Sequence, residues 1–175
     1  MFVVSADGKP VTTLEGLKLT PHYNFAEAPS IDILVVPSAA GSMDKDLGNE
    51  KMLAWVRQAG GKARFVVSLC DGAFVLAAAG LLEGRAVTTF PADQDRFAEM
   101  FPKLDLRRGV SFVHDDKALT SQGGARSYDV AMYLVDHLYG EEVARKVGSG
   151  LIISWPPAEG TMPAAVVTAT AWSRP

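Results

Sequence analysis

The chain has 175 residues, 48% apolar and 21% charged, with 17 Lys and Arg against 20 Asp and Glu for a net charge of −3. That length supports one α/β domain with a genuine core, the composition is not that of a disordered chain, and the mild acidity argues against a nucleic-acid partner. The one cysteine, Cys70, excludes a disulfide framework within the chain and a Cys-rich zinc site, and no stretch reaches the ~18–20 apolar residues that a membrane span requires.

Phe2 to Ser5 reads as a short strand, and Asp7-Gly8 as a turn. Pro10 to Thr13 and Leu17 to Thr20 then read as a hairpin-like excursion. The start lacks the basic opening and long apolar run of a signal peptide, so a cytoplasmic location is expected. Ile31 to Val36 is an apolar β-branched run broken only by Asp32, which predicts a strand buried on both faces and stopped by Pro37. Asn49 to Ala59 predicts a helix with Met52, Leu53, Val56 and Ala59 on one stripe and Gly60-Gly61 as its terminator. Asp44-Lys45-Asp46 before it reads as a solvated loop.

Phe65 to Leu69 is a second buried strand, and Ala73 to Leu82 returns to helical spacing. Ala86 to Phe90 reads as a strand closed by Pro91, and Asp93 to Met100 as a short amphipathic helix. Val110 to Val113 and Ala118 to Thr120 read as strands joined by a polar turn, His114 to Lys117. Ser127 can cap a helix that carries Val130, Leu134 and Leu138 and ends at Gly140. Glu141 to Val147 is a further helix with acids first and bases last, as its dipole prefers, and Leu151 to Ile153 a final strand. The expected domain runs over residues 1–155, with a tail over 156–175 that adds little to the core apart from Val166-Val167.

Apolar strands alternating with helices predict an α/β sandwich with a mostly parallel central sheet flanked by helices. Chemistry in such folds sits at the carboxyl ends of the strands. Cys70 follows the strand Phe65 to Leu69 directly and precedes the helix near Ala73, with Ser68 and Gly72 two residues to either side. A tight strand-to-helix corner presents its side chain over the sheet edge, and small neighbours relieve the crowding. Unpaired amides at the helix start are expected to lower the thiol pKa, and the Asp71 amide to help hold an oxyanion. The competing reading is that Cys70 merely fills space. Asp71 is open between a helix N-cap, an opposing charge when ionised and a hydrogen-bond donor to sulfur when protonated.

Ser68-Leu69-Cys70-Asp71-Gly72-Ala73, the run Ala79 to Arg85, Thr88-Thr89, Thr120 to Gly124, the helix Ser127 to Tyr139 and Val36-Pro37 together resemble the ThiJ/PfpI superfamily of glutamine amidotransferase-like proteins. The resemblance covers Val3 to Trp155. It is nearest to the branch that contains isonitrile hydratase and the ligand-sensing domains of some helix-turn-helix regulators. It implies a flavodoxin-like fold, a homodimer, and Cys70 as the nucleophile at an elbow with Asp71 beside it. Ala39, Ala40 and Gly41, with Gly123, match positions that bind an oxyanion or substrate. The implied activity is a cysteine-dependent hydratase or hydrolase acting on a small electrophile such as an isonitrile, an aldehyde or an acyl compound, without cofactor or metal. The alternative is a non-catalytic ligand-binding or redox-sensing domain.

Two departures from the pattern bear on turnover. Phe90 stands where many members carry a His after the paired threonines, and a phenyl ring shuttles no proton. The family's first strand and helix, with an acid that meets the nucleophile, have no counterpart, so a fragment or a lost βα unit with an exposed sheet edge is expected. Elsewhere, His114 with Asp115 and Asp116 reads as a solvated turn, His22 and His137 as isolated from any carboxylate cluster, and Arg126 as a solvated surface residue, with an anion contact near the site as its alternative. Gly123-Gly124 fits close backbone approach beside Cys70 better than a phosphate cradle.

Overall fold

Strand β6 (Phe65–Leu69) is the axis of the molecule in the computed structural model, which describes residues 1–13, 15–39, 43–158 and 164–168. Its side chains alternate between two cores. Phe65 and Val67 join Phe112, Leu119 and Val130 on one face, whereas Val66 joins Leu34, Phe74, Leu76, Leu82 and Phe97 on the other. A strand covered on both sides has no polar face, which is why it reads as an unbroken apolar run.

The elements in chain order begin with four two-residue strands: β1 (Val4–Ser5), β2 (Val11–Thr12), β3 (Lys18–Leu19) and β4 (Tyr23–Asn24). Then come β5 (Ile33–Val36), α1 (Met43–Leu47), α2 (Glu50–Lys62), β6, α3 (Gly72–Ala78) and β7 (Ala86–Val87). The second half holds α4 (Gln94–Met100), β8 (Asp105–Leu106), β9 (Phe112–Asp115), β10 (Ala118–Ser121), α5 (Ser127–Tyr139), α6 (Glu141–Leu151) and β11 (Val166–Val167). The main sheet has the order β11-β9-β10-β6-β5. Its pairings are parallel except β9 with β10, so the fold is a mixed, mostly parallel sheet flanked by helices, consistent with a flavodoxin-like sandwich. Helix α5 covers the face of Phe65 and Val67, and α2 and α3 cover the other.

β5 is the sheet's edge among the described residues, and its Val35 is 48% exposed. β1 does not cover that edge but pairs with β4. A cavity of about 240 Å³ lies beside it, lined by Val4, Phe25, Val35, Met52 and Trp55 among others.

Several local expectations gave way to packing. Helix α2, capped by the Asn49 side chain on Met52 N–H at 3.1 Å, runs through Gly60-Gly61 to Lys62. A Cβ on Gly60 would lie 2.5 Å from Leu81 Cδ1, so this glycine admits a neighbouring side chain and does not end the helix. Asp44 to Asp46 fall within α1, and α3 stops at Ala78, after which Gly80 at φ 76° turns the chain. β7 ends at Val87 and pairs with β8, outside the main sheet. Leu151 to Ile153 is no strand, because Leu151 closes α6 and Ile152 is left-handed at φ 59°. Within the tail, Val166 and Val167 pair with Val113 and His114 of β9.

The largest correction concerns His114. The turn between β9 and β10 is only Asp116 and Lys117, so His114 and Asp115 belong to the strand and are buried. His114 Nε2 meets the Asp116 carbonyl at 2.8 Å, which only accepts, so Nε2 carries the hydrogen and Nδ1 accepts from the Tyr133 hydroxyl at 2.8 Å. Burial, with His137 nearby, pushes its pKa down to about 4. Asp115 accepts the Ala86 amide at 2.7 Å and the Thr168 hydroxyl at 2.7 Å, tying β7 and the tail to β9.

Candidate active site

The chain leaves β6 at Leu69 and enters α3 at Gly72, so Cys70 and Asp71 alone must make the turn. Cys70 does so in the left-handed region, at φ 58°. A side chain with a Cβ is uncommon there and costs about 1–2 kcal/mol, so surrounding bonds must hold it. The Cys70 N–H donates to the Ser121 carbonyl at 3.1 Å, and the Cys70 carbonyl accepts from the Thr89 hydroxyl at 3.1 Å. Thr89 is itself held from below. Gln94 Nε2 reaches the Thr89 carbonyl and the Thr88 hydroxyl, each at 3.4 Å, and the Thr88 N–H donates to Thr120 Oγ1 at 2.8 Å.

Two glycines make the corner possible. Gly123, at φ 79°, lies so near that a Cβ would fall 2.4 Å from Cys70 Cβ and 2.6 Å from Cys70 N. A Cβ on Gly72 would fall 2.4 Å from the Val36 carbonyl oxygen. Both positions require backbone to pass against backbone.

Asp71 is 3% exposed and stands at the N-cap position of α3, yet its side chain makes no cap bond. Its Oδ1 accepts the Ala39 N–H at 2.9 Å. The Asp71 N–H and Ser38 act to pull the Cys70 thiol down, toward its thiolate. They do not prevail. Half-burial pushes the Cys70 thiol up, and the charges of Asp71 and Asp93 add to this. The expected lowering is therefore reversed, because lost hydration and two nearby carboxylates outweigh the donors at the turn.

Of the residues singled out from the sequence, Cys70, Asp71, Ala39 and Gly123 come together at the ends of β5, β6 and β10. The Ala39 N–H is taken by Asp71, and the Gly123 N–H donates to Ser121 Oγ at 3.2 Å. Ala40 and Gly41 lie outside the described residues. Phe90 follows Thr89 in the chain and is 39% exposed. Arg126 pairs with Asp129 at 3.3 Å.

The sequence reading gave Ser38, Gln94 and Asp93 no part in the site, and noted Thr89 only as half of a paired-threonine motif. Ser38 follows Pro37 and could have been noted as the first hydroxyl beyond a buried strand. Nothing local marks Gln94. Among the described residues no group of three or more His, Cys, Asp and Glu could hold a metal ion, and no helix is long and apolar enough to cross a membrane.

Comparison with known proteins bears on this geometry. Isonitrile hydratase of Pseudomonas putida is 33% identical over 147 residues, covering 84% of this chain and 63% of that enzyme. The HTH-type transcriptional regulator CdhR of Pseudomonas aeruginosa is 28% identical over 151 residues, covering 86% of this chain and 44% of the regulator. The chain thus spans less than two thirds of either relative. A ThiJ/PfpI family protein from Pseudomonas syringae shares the fold with a TM-score of 0.79 at 24% identity, covering 91% of this chain and 66% of that one. The model of the DJ-1/PfpI family matches residues 1–137, and the chain belongs to that family.

Proposed function

We propose that Cys70 is a nucleophile at a strand-to-helix elbow and that the protein is a cysteine-dependent hydratase or hydrolase for a small electrophile. The observation that carries this reading is the left-handed backbone of Cys70, held by the Ser121 carbonyl and the Thr89 hydroxyl. Strain of this kind persists where the surroundings over-determine it, and it concentrates at functional positions. Likeness to the isonitrile hydratase of Pseudomonas putida makes an isonitrile the first substrate class to try, with aldehydes and acyl compounds next.

In the isonitrile case sulfur bonds to the terminal carbon, which takes up the thiol proton to give a thioimidate. Water then adds to that carbon, and the C–S bond breaks to release an N-substituted formamide and the thiol. Nothing is oxidised, so no cofactor enters. Because burial holds the thiol up, sulfur must lose its proton during the attack, and Phe90 supplies no base for that step. Turnover is therefore expected to rise with pH through the neutral range.

The test is turnover of a simple alkyl isonitrile and of a dicarbonyl by the full chain, each followed by product mass. Formamide or hydroxy-acid formation that disappears in Cys70→Ser supports the reading, whereas no product, or product that survives the substitution, overturns it. Size-exclusion chromatography of the same sample checks the homodimer expected on the resemblance.

A second reading, a non-catalytic ligand-binding or redox-sensing domain, is favoured by the likeness to CdhR, and the raised thiol supports its ligand-binding form over its redox form. Absence of turnover of any electrophile is the outcome it requires, with oxygen uptake by Cys70 under mild peroxide required of its redox form.

A further inference from the structure

The peptide that follows Cys70 is fixed at its carbonyl by a distant part of the chain. Cys70 O accepts the Thr89 hydroxyl at 3.1 Å. Thr89 is fully buried and comes from the segment after β7, outside the main sheet. Two bonds fasten that segment to the sheet. Asp115 of β9 accepts the Ala86 N–H at 2.7 Å, and Thr120 Oγ1 of β10 accepts the Thr88 N–H at 2.8 Å. The hydroxyl therefore stands on a firm support. The peptide before Cys70 is fixed too, because its N–H donates to the Ser121 carbonyl at 3.1 Å.

A trans peptide is planar, and its C=O and N–H point in opposite directions. The Cys70–Asp71 bond is trans. With the Cys70 carbonyl aimed at Thr89, the Asp71 N–H is aimed away from it. Among the described residues no oxygen takes this N–H, although the Asp71 carbonyl accepts from the Phe74 N–H at 3.0 Å and Oδ1 from Ala39 at 2.9 Å. Its pull on the Cys70 thiol fits an N–H turned to the sulfur side. A donor fixed in direction and spent on no other oxygen suits a charge that appears only during reaction.

We infer that Thr89 is a positioning residue, whose hydroxyl on the Cys70 carbonyl turns the Asp71 N–H toward the oxygen that becomes negative when Cys70 attacks a carbonyl carbon. This inference rests on the reading of Cys70 as a nucleophile and names the electrophiles the turn serves best. Attack on an aldehyde or acyl carbon puts charge on oxygen, where the N–H can meet it. Attack on an isonitrile puts charge on carbon. Thr89 acts through the peptide, so its removal changes the aim of the donor and not the identity of any reacting group.

The experiment compares two reagents on the full chain. With p-nitrophenyl acetate, sulfur gives its proton to solvent and bonds to the carbonyl carbon, whose π pair moves to oxygen. Return of that pair expels nitrophenolate and leaves S-acetyl-Cys70. With iodoacetamide, sulfur displaces iodide and no oxyanion forms. Both reactions need the thiolate, so a change in its population cancels in the ratio of the two rates. Cys70 is the one cysteine, and Cys70→Ala supplies the blank for acetylation elsewhere.

Thr89→Val, which keeps the shape and removes the hydroxyl, is expected to lower the ratio of acetylation to alkylation about tenfold, part of the roughly hundredfold that deleting an oxyanion donor costs. Thr89→Ser, which keeps the hydroxyl, restores the ratio. Thermal melts accompany each variant, and Thr89→Ala takes the place of Thr89→Val should the latter fail to fold. Merely loosening the turn would move both rates together, so an unchanged ratio in Thr89→Val overturns the inference. A parent chain whose Cys70 is alkylated but not acetylated overturns it as well. Stoichiometric acetylation requires no turnover. A chain that shows the expected ratios yet releases no product from any electrophile therefore defeats the enzymatic reading and supports the role of Thr89.

Discussion

Gly123 stands against Cys70 so closely that a methyl group on it would occupy the space of the cysteine's own Cβ, 2.4 Å away. The two residues are 53 positions apart, and β10 brings them together by pairing with β6 in parallel register, Ser121 opposite Leu69. The neighbouring backbone at Ser121 then receives the Cys70 N–H. The Cys70 turn is therefore shaped from the β10 side as well as by its own chain.

Gly123→Ala meets two penalties, a left-handed φ of 79° and a backbone clash that no flexible side chain can relieve. We expect a loss of about 2–4 kcal/mol in urea unfolding. The same variant should change the alkylation rate of Cys70, because the turn must move. A midpoint within error of the parent chain would show that the turn yields at no cost.

His114 makes folding pH-dependent in a defined window. Its folded pKa lies near 4, below the ordinary 6.5, so the unfolded chain takes up the proton first as pH falls. The stability it contributes is full above about 6.5 and drains away between there and about 4. Urea midpoints measured across this range should fall with acid, and His114→Gln should make the decline shallower by one proton's share. Equal slopes would place the titration elsewhere.

Ser68 presents the reverse case. Its hydroxyl is fully buried in β6 and, among the described residues, finds no hydrogen-bond partner. Removing an unsatisfied polar group recovers its desolvation cost, on the order of 1 kcal/mol. Ser68→Ala should leave the melting temperature unchanged or raise it by a few degrees, although Ser68 lies only two residues from Cys70. A clear loss of stability would mean that the hydroxyl is bonded in solution.

Phe74 anchors the core beneath α3. It is fully buried and meets Phe97 edge-to-face at 4.9 Å between ring centroids. Phe74→Ala should cost about 3–5 kcal/mol, the usual range for emptying an aromatic site in a close-packed interior. Because α3 begins at Gly72, part of that loss should appear as disorder of the Cys70 turn, read as faster exchange of the Ala73 to Leu76 amides.

The elements most legible in the sequence were those whose local pattern and tertiary setting agree. Phe65 to Leu69 emerges as a strand with the same bounds, since burial on both faces demands the apolar run that marks it. Cys70 and Gly72 were legible for a related reason, because a strand followed at once by a helix leaves few residues to turn the chain. Gly60 was misread because a glycine that ends a helix and one that admits Leu81 look alike in sequence. His114 was misread because a polar run of four residues does not say whether two or four of them form the turn; the β9–β10 register does.

The amino-acid sequence by itself determined the α/β class, much of the succession of strand and helix, and the place of Cys70 at a strand-to-helix turn, because these depend on periodicity and on residues adjacent in the chain. Tertiary structure alone decided the partners of that thiol. Asp71 and Ala39 are 32 positions apart, and Cys70 meets Gly123 only when β5, β6 and β10 lie side by side. It also decided the sign of the thiol's shift, since burial and the field of two carboxylates are properties of a packed site and not of any stretch of sequence.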